Sequence, residues 1–265
     1  MDKNIKLKYN YHTHCYLCNH AEGYPHDYIE RAIKLGFRGI GISDHGPLRP
    51  EWTHRMSYDD FINIYLKDID ESINKYSDCI EIYKGLEIEY FEEYTFYYHT
   101  LLTKLDYLIL GQHALKINGK IVDVFQKMTK EYIYEYANEV AEGLNSKCFK
   151  ILAHPDLFMY KYDGKWDKDL ELASRKIIEA AIKNDVYLEL NVNGARRGLI
   201  KNFLGEDTWR YPYLDFWKLV TEYKEAKVVI NADCHKLDYL YDDVTEEVID
   251  FAKKLNLNVI ERLEL

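Results

Sequence analysis

Short apolar runs rich in β-branched residues alternate along the chain with longer stretches in which apolar positions recur every three or four residues. The first pattern predicts buried strands over 7–11, 39–43, 80–86, 107–110, 151–153, 186–190 and 228–231. The second predicts amphipathic helices over 28–35, 60–76, 131–144, 170–184, 214–224 and 245–255. Gly36 follows the first helical stretch, where a left-handed stop is expected; Thr245, three residues before Val248 and followed by Glu246 and Glu247, resembles a helix start. Strands that alternate with helices predict an α/β protein, a parallel sheet or barrel wrapped by helices. There is no Gly/Ser tract, long charge block or internal repeat, and prolines are few, so one domain over 1–265 is expected.

The residues directly after each strand add chemistry to this frame. The successive runs lead into His12-Thr13-His14, Asp44-His45, Glu87, Gln112-His113, His154, Asn191, and finally Asp233 and His235. In a parallel barrel every strand ends on the same face, so polar residues scattered through the whole sequence would converge there. His26, His54 and His99 have no such placement and read as ordinary surface or core residues.

Composition narrows the partners. With 35 basic and 45 acidic side chains the chain carries a formal charge of −10, and lacks the broad positive surface from which nucleic-acid binders draw most of their affinity. No apolar run reaches the roughly 18 residues of a membrane helix, and the opening Met1-Asp2-Lys3-Asn4-Ile5-Lys6 lacks the apolar stretch of a signal peptide; a cytoplasmic protein is expected. The 47% hydrophobic content supplies a sizeable core. Five cysteines, an odd number, argue against a disulfide framework, and Cys15 and Cys18 read as loop cysteines open to oxidation. The 25 tyrosines read as compositional drift.

Imidazole and carboxylate ligands without dominant thiolates suit zinc, iron or manganese. His12, His14, His20, His45, Glu87, His113, His154, Asp233 and His235 are more ligands than one ion accepts, so more than one metal is expected. A multinuclear centre lowers the pKa of an attacking water and neutralises charge on phosphoryl oxygens, which points to hydrolysis of a phosphate ester.

The ordered segments His12-Thr13-His14, Ser43-Asp44-His45, Gly85-Leu86-Glu87, Gln112-His113, Ala153-His154-Pro155-Asp156 and Asp233-Cys234-His235 resemble the motifs of the polymerase and histidinol phosphatase (PHP) superfamily. Cys18-Asn19-His20-Ala21, Arg55-Met56-Ser57 and the stretch from Glu189 to Arg196 resemble its histidinol-phosphate phosphatase branch. The resemblance implies a distorted seven-stranded (β/α)7 barrel, TIM-barrel-like, with three divalent ions at the strand carboxyl ends. It implies that His12, His14, Glu87 and Asp233 hold one ion, that Glu87 bridges to a second held by His113 and His154, and that His20, His45 and His235 hold the third. A bridging hydroxide would attack phosphorus, releasing L-histidinol and phosphate in histidine biosynthesis. Arg196 matches the arginine expected to grip phosphate; Arg55 and Lys161 are further candidates, and Arg197 reads as a solvent-exposed charge. Asp44 would orient an imidazole or pass a proton to the leaving oxygen. The rival readings are another ester within the superfamily, a phosphodiester exonuclease or protein-tyrosine phosphatase, or a metal-binding module without turnover.

Overall fold

The computed structural model describes residues 5–48 and 54–265; Met1–Asn4, part of the amino-terminal stretch without an apolar run, lie outside them. Seven strands form one parallel sheet in strict sequence order: β1 (Tyr9–Asn10), β2 (Gly39–Ile42), β3 (Glu81–Ile88), β4 (Tyr107–Leu110), β5 (Ile151–Leu152), β6 (Tyr187–Asn191) and β7 (Val228–Asn231). Each predicted strand is present, and two, 107–110 and 228–231, have the predicted bounds. The first and last strands meet without a regular ladder. Two asparagines join them instead: Asn231 Oδ1 accepts from Tyr11 N–H (2.8 Å) and Asn10 Oδ1 from Ala232 N–H (2.7 Å). Just beyond, Thr13 and Cys234 form a parallel bridge. The sheet is thereby a nearly closed barrel.

Between and after the strands run α1 (Pro25–Leu35), α2 (Leu66–Tyr76), α3 (Thr95–Leu102), α4 (Lys130–Asn145), α5 (Lys168–Lys183), α6 (Leu214–Val220) and α7 (Asp243–Lys254). Gly36 stops α1 at φ 87°, the left-handed conformation for which glycine carries no Cβ penalty. Thr129 caps α4 and Asp167 caps α5 by accepting first-turn N–H groups. The start of α7 differs from expectation: Asp242 is the cap, and Thr245, already inside the helix, completes a reciprocal capping box with it. Helix α3 had no amphipathic signal, because Phe96 points to solvent while Tyr98 and Leu101 are buried. Helix α6 ends four residues early in tight turns through Glu222 and Tyr223. Among the described residues no helix is long and apolar enough to cross a membrane.

The barrel interior explains several of the tyrosines. Tyr9, Tyr11, Tyr107 and Tyr187 pack with Ile109, Ile151, Val229 and Leu263 as a cluster separate from the outer core, a floor at the amino-terminal ends of the strands. The carboxyl terminus closes it from below, where Leu263 N–H donates to Tyr11 Oη (3.0 Å). Side chains alternate across a strand with period two, so each strand that starts in this floor ends in the opposite mouth. Tyr83, Gly85 and Glu87 follow that climb on β3, with Glu89 just past its end, as do Tyr187, Glu189 and Asn191 on β6 and Val229 and Asn231 on β7, with Asp233 two residues beyond. The mouth lies where the strands end. Two hairpins stand in the loops leaving it, Ala114–Ile117 with Lys120–Asp123 after β4, and Ile200–Lys201 with Asp207–Thr208 after β6.

Candidate metal centre

The strand ends carry the histidines to one cavity of about 710 Å³, within the size range of small-molecule sites. Glu87 stands at its base. One carboxylate oxygen, Oε2, approaches His12 Nε2 and His14 Nε2 (both 3.5 Å) and His45 Nδ1 (3.0 Å); the other, Oε1, approaches His154 Nε2 (3.0 Å) and His113 Nε2 (3.5 Å). The carboxylate therefore faces two ligand sets at once. Gly111 makes this possible, since a Cβ there would lie 2.2 Å from Glu87 Oε1. Asp233 Oδ1 adds to the first set at 3.0 Å from His14 Nε2 and 3.7 Å from His12 Nε2. His154 and Asp233 both hold left-handed backbone (φ 31° and 44°), a conformation uncommon for such residues and concentrated at functional sites.

Three pairs of imidazole nitrogens face each other at hydrogen-bond distance. His12 and His14 Nε2 are 3.0 Å apart, His113 and His154 Nε2 3.2 Å, and His20 and His235 Nε2 3.0 Å. In five of these rings the other nitrogen is held by an acceptor: His12 by Glu189 (2.7 Å), His14 by Asp44 (3.2 Å), His113 by Glu89 (2.8 Å), His20 by the Cys18 carbonyl (2.9 Å) and His235 by the Asp233 carbonyl (3.1 Å). An acceptor fixes the proton on Nδ1 and leaves a lone pair on Nε2. Facing lone pairs repel unless a cation stands between them, so the donor set fits divalent metal ions. His45 joins the third pair, its ligand nitrogen close to those of His14 and His235.

The buried acids make the same demand for positive charge, which protons meet at the first set. Burial opposes a charged His12, yet Glu189, Asp233 and Glu87 raise its pKa to about 10; His14 is raised too, against burial, by Asp233 and Asp44. Burial would favour neutral Glu87 and Asp233, but the surrounding imidazoles hold both well below the usual carboxylate range. In the third set burial dominates, lowering His20, lowering His45 strongly and bringing His235 to about 3. Those three rings keep free lone pairs at neutral pH.

All nine sequence-derived ligands therefore come together. The other candidates divide. Arg55 lines the cavity and pairs with Glu89. Arg196 does not line it: Nη2 donates to the Tyr239 carbonyl (2.8 Å) and Asp242 (2.9 Å), behind the wall. Its neighbour Arg197, read from sequence as a solvent charge, lines the cavity instead, stacked 4.8 Å over the Tyr160 ring and donating to the hydroxyls of Tyr160 and Tyr211 (both 3.1 Å). A helical turn at Val192–Ala195 points consecutive residues in different directions, which sequence order alone does not reveal. Lys161 is exposed and outside the wall. Asp44 is fully buried, engaged by His14, Cys15 and the His45 N–H, and absent from the wall, which places it against the His14 ring and not in the open cavity. His54, read as ordinary, stands on the wall with its ring 5.2 Å from that of His20. Cys15 and Cys18 are unpaired and buried; the Cys18 sulfur lies within ligand reach of His20 and His235, and burial pushes its thiol up.

Two buried carboxylates that accept from the imidazoles had no assigned role. Glu89 receives Arg55 and His113, and Glu189 receives His12. Glu189 was legible as an acid inside a fully buried strand, and Glu89 as an acid one residue past β3, both at the period-two positions that climb into the mouth.

A model described as the PHP domain matches residues 10–193. The chain is 24% identical over 271 residues to the histidinol-phosphatase of Bacillus subtilis, covering 89% of this chain and 97% of that protein. It is 30% identical over 262 residues to a Schizosaccharomyces pombe protein named "Probable histidinol-phosphatase", covering 84% of this chain and 79% of the other. Among solved structures, histidinol phosphate phosphatase of Lactococcus lactis, complexed with zinc, L-histidinol and phosphate, superposes with a TM-score of 0.72 at 17% identity, covering 96% of this chain and 95% of that one.

Proposed function

The chain belongs to the PHP domain family, and from that membership we propose that it is a divalent-metal-dependent phosphomonoesterase that converts L-histidinol phosphate to L-histidinol and phosphate. The observation that carries this reading is the set of three facing imidazole pairs, two of them joined through one two-faced carboxylate, Glu87, which also reaches His45 beside the third. His12, His14, Glu87 and Asp233 would hold one ion, Glu87, His113 and His154 a second, and His20, His45 and His235 a third. Bound there, divalent ions supply an activated water and neutralise charge on the phosphoryl oxygens.

The chain's own groups do the positioning. Glu189, Asp44 and Glu89 fix the tautomers of His12, His14 and His113 so that each presents Nε2 inward. Arg197, immobilised by two phenol hydroxyls and an aromatic face, keeps Nη2 for a phosphate oxygen. Arg55, tied to Glu89, and Lys236 are the further basic groups at the cavity.

The test is phosphate release by protein loaded with zinc, iron or manganese from L-histidinol phosphate, p-nitrophenyl phosphate, a phosphotyrosine peptide and a short oligonucleotide. Preference for the first supports the proposal. Preference for the peptide or oligonucleotide would reassign the substrate, and metal uptake with no turnover would make the chain a binding module.

A further inference from the structure

Four acids line the cavity, and three are already engaged. Glu87 and Asp233 face the imidazoles, and Glu89 accepts from Arg55 and His113. The fourth, Asp123, ends the hairpin after β4 and is half-buried, with no ion-pair partner among the described residues. Its place is fixed. Asp123 Oδ1 accepts from Phe125 N–H (2.7 Å) and Oδ2 from Gln126 Nε2 (3.2 Å), which leaves lone pairs on both oxygens. The next residue, Val124, donates its N–H to the His113 carbonyl (2.9 Å), and the Phe125 ring lies parallel to the His113 ring at 5.7 Å. An uncompensated carboxylate is thus pinned beside one of the imidazole pairs.

A cavity built for metal ions, with Arg55 and Arg197 on its wall, repels an ammonium group by the same electrostatics that draw in a phosphate. An ester carrying both charges needs an acid close to the phosphoryl pole. We propose that Asp123 binds the cationic amine of the substrate and makes the site selective for phosphomonoesters of amino alcohols, with Ile121 and Phe125 as the apolar wall for the rest of the leaving group. This rests on the phosphomonoesterase reading of the same cavity.

The experiment is a two-by-two comparison of kcat/KM, wild type and Asp123→Asn, each with L-histidinol phosphate and with the same ester lacking its amine, 3-(imidazol-4-yl)propyl phosphate. Asparagine keeps an acceptor for Phe125 N–H. Wild type is expected to favour the amine-bearing ester by about five- to tenfold, the size of one partly buried ion pair, and the variant to show a preference near one. An equal preference in both proteins overturns the assignment, as does a wild type that turns over both esters alike. Should the asparagine variant not fold, Asp123→Ser, which also keeps an acceptor, replaces it. Failure of the metal-loaded wild type on both esters would refute the phosphomonoesterase reading itself, a separate result.

Discussion

Replacing Glu189 by glutamine changes one oxygen to an amide and no shape, yet every neighbour of that carboxylate is a donor. Oε1 accepts from His12 Nδ1 (2.7 Å) and Asn231 Nδ2 (3.0 Å); Oε2 accepts from His154 N–H (3.1 Å) and Asn191 Nδ2 (2.7 Å). Neither asparagine can turn round to accept, because Asn231 Oδ1 already serves Tyr11 N–H and Asn191 Oδ1 serves Gly194 N–H (both 2.8 Å). If the new NH2 faced His154 and Asn191, two fixed donors would lose their acceptor, at about 1–3 kcal/mol each. If it faced His12, that ring could keep a proton on Nε2 alone and accept at Nδ1, leaving one lost bond at Asn231. The second arrangement is cheaper by about one hydrogen bond. It also places a proton on the nitrogen that faces His14. Glu189→Gln should therefore cost about 1–3 kcal/mol of stability and lower metal affinity at the His12–His14 set by roughly 10- to 100-fold. Chelator competition followed by metal analysis, with melting of the metal-free protein, measures both. A variant with wild-type affinity and melting temperature would refute this reading of the buried network.

Three other substitutions and one titration bear on the site. Gly111→Ala should displace the Glu87 carboxylate, whose Oε1 would lie 2.2 Å from the new Cβ, and should abolish phosphatase activity with loss of bound metal; full activity would remove Glu87 from its bridging place. Arg197→Ala should lower kcat/KM for L-histidinol phosphate by about 2–5 kcal/mol in transition-state terms, whereas Arg196→Ala, which breaks the Asp242 ion pair, should act chiefly on the melting temperature; the reverse ranking would restore Arg196 as the phosphate contact. The pKa of His12, raised to about 10, means that this ring is protonated at neutral pH in the metal-free chain, so an ion binding there must displace a proton. Metal affinity at that set should keep rising with pH up to about 10 and not level off near 6.5, while His235, at about 3, contributes no such competition. Calorimetry of metal binding in buffers of different ionisation enthalpy reads the proton release, and buffer-independent heats would contradict it.

Much of this arrangement was legible because the chemistry sits at one structural address. A histidine or acid directly after a buried strand needs no tertiary knowledge to be placed at the mouth of a parallel barrel, and His12, His113, His154 and Asp233 all obey that rule. Glu87 lies within β3 yet belongs to the same period-two climb. What escaped depended on local turns. The Val192–Ala195 turn decides that Arg197 enters the cavity and Arg196 does not, and residue type is the same at both. Glu189 and Glu89 escaped because their partners are distant in sequence, although an acid inside a buried strand, as Glu189 is, already required an explanation. The tyrosines of the floor read as drift because their common feature, filling one barrel interior, exists only after the strands are paired.

The most direct measurement is a titration of metal-stripped protein with zinc or manganese, following phosphate release from L-histidinol phosphate against ions bound per chain. Activity should be absent without metal, appear as the facing imidazole pairs fill, and reach its plateau at three ions per chain. A protein that binds metal at every ratio and releases no phosphate, or one equally active after exhaustive stripping, would contradict it.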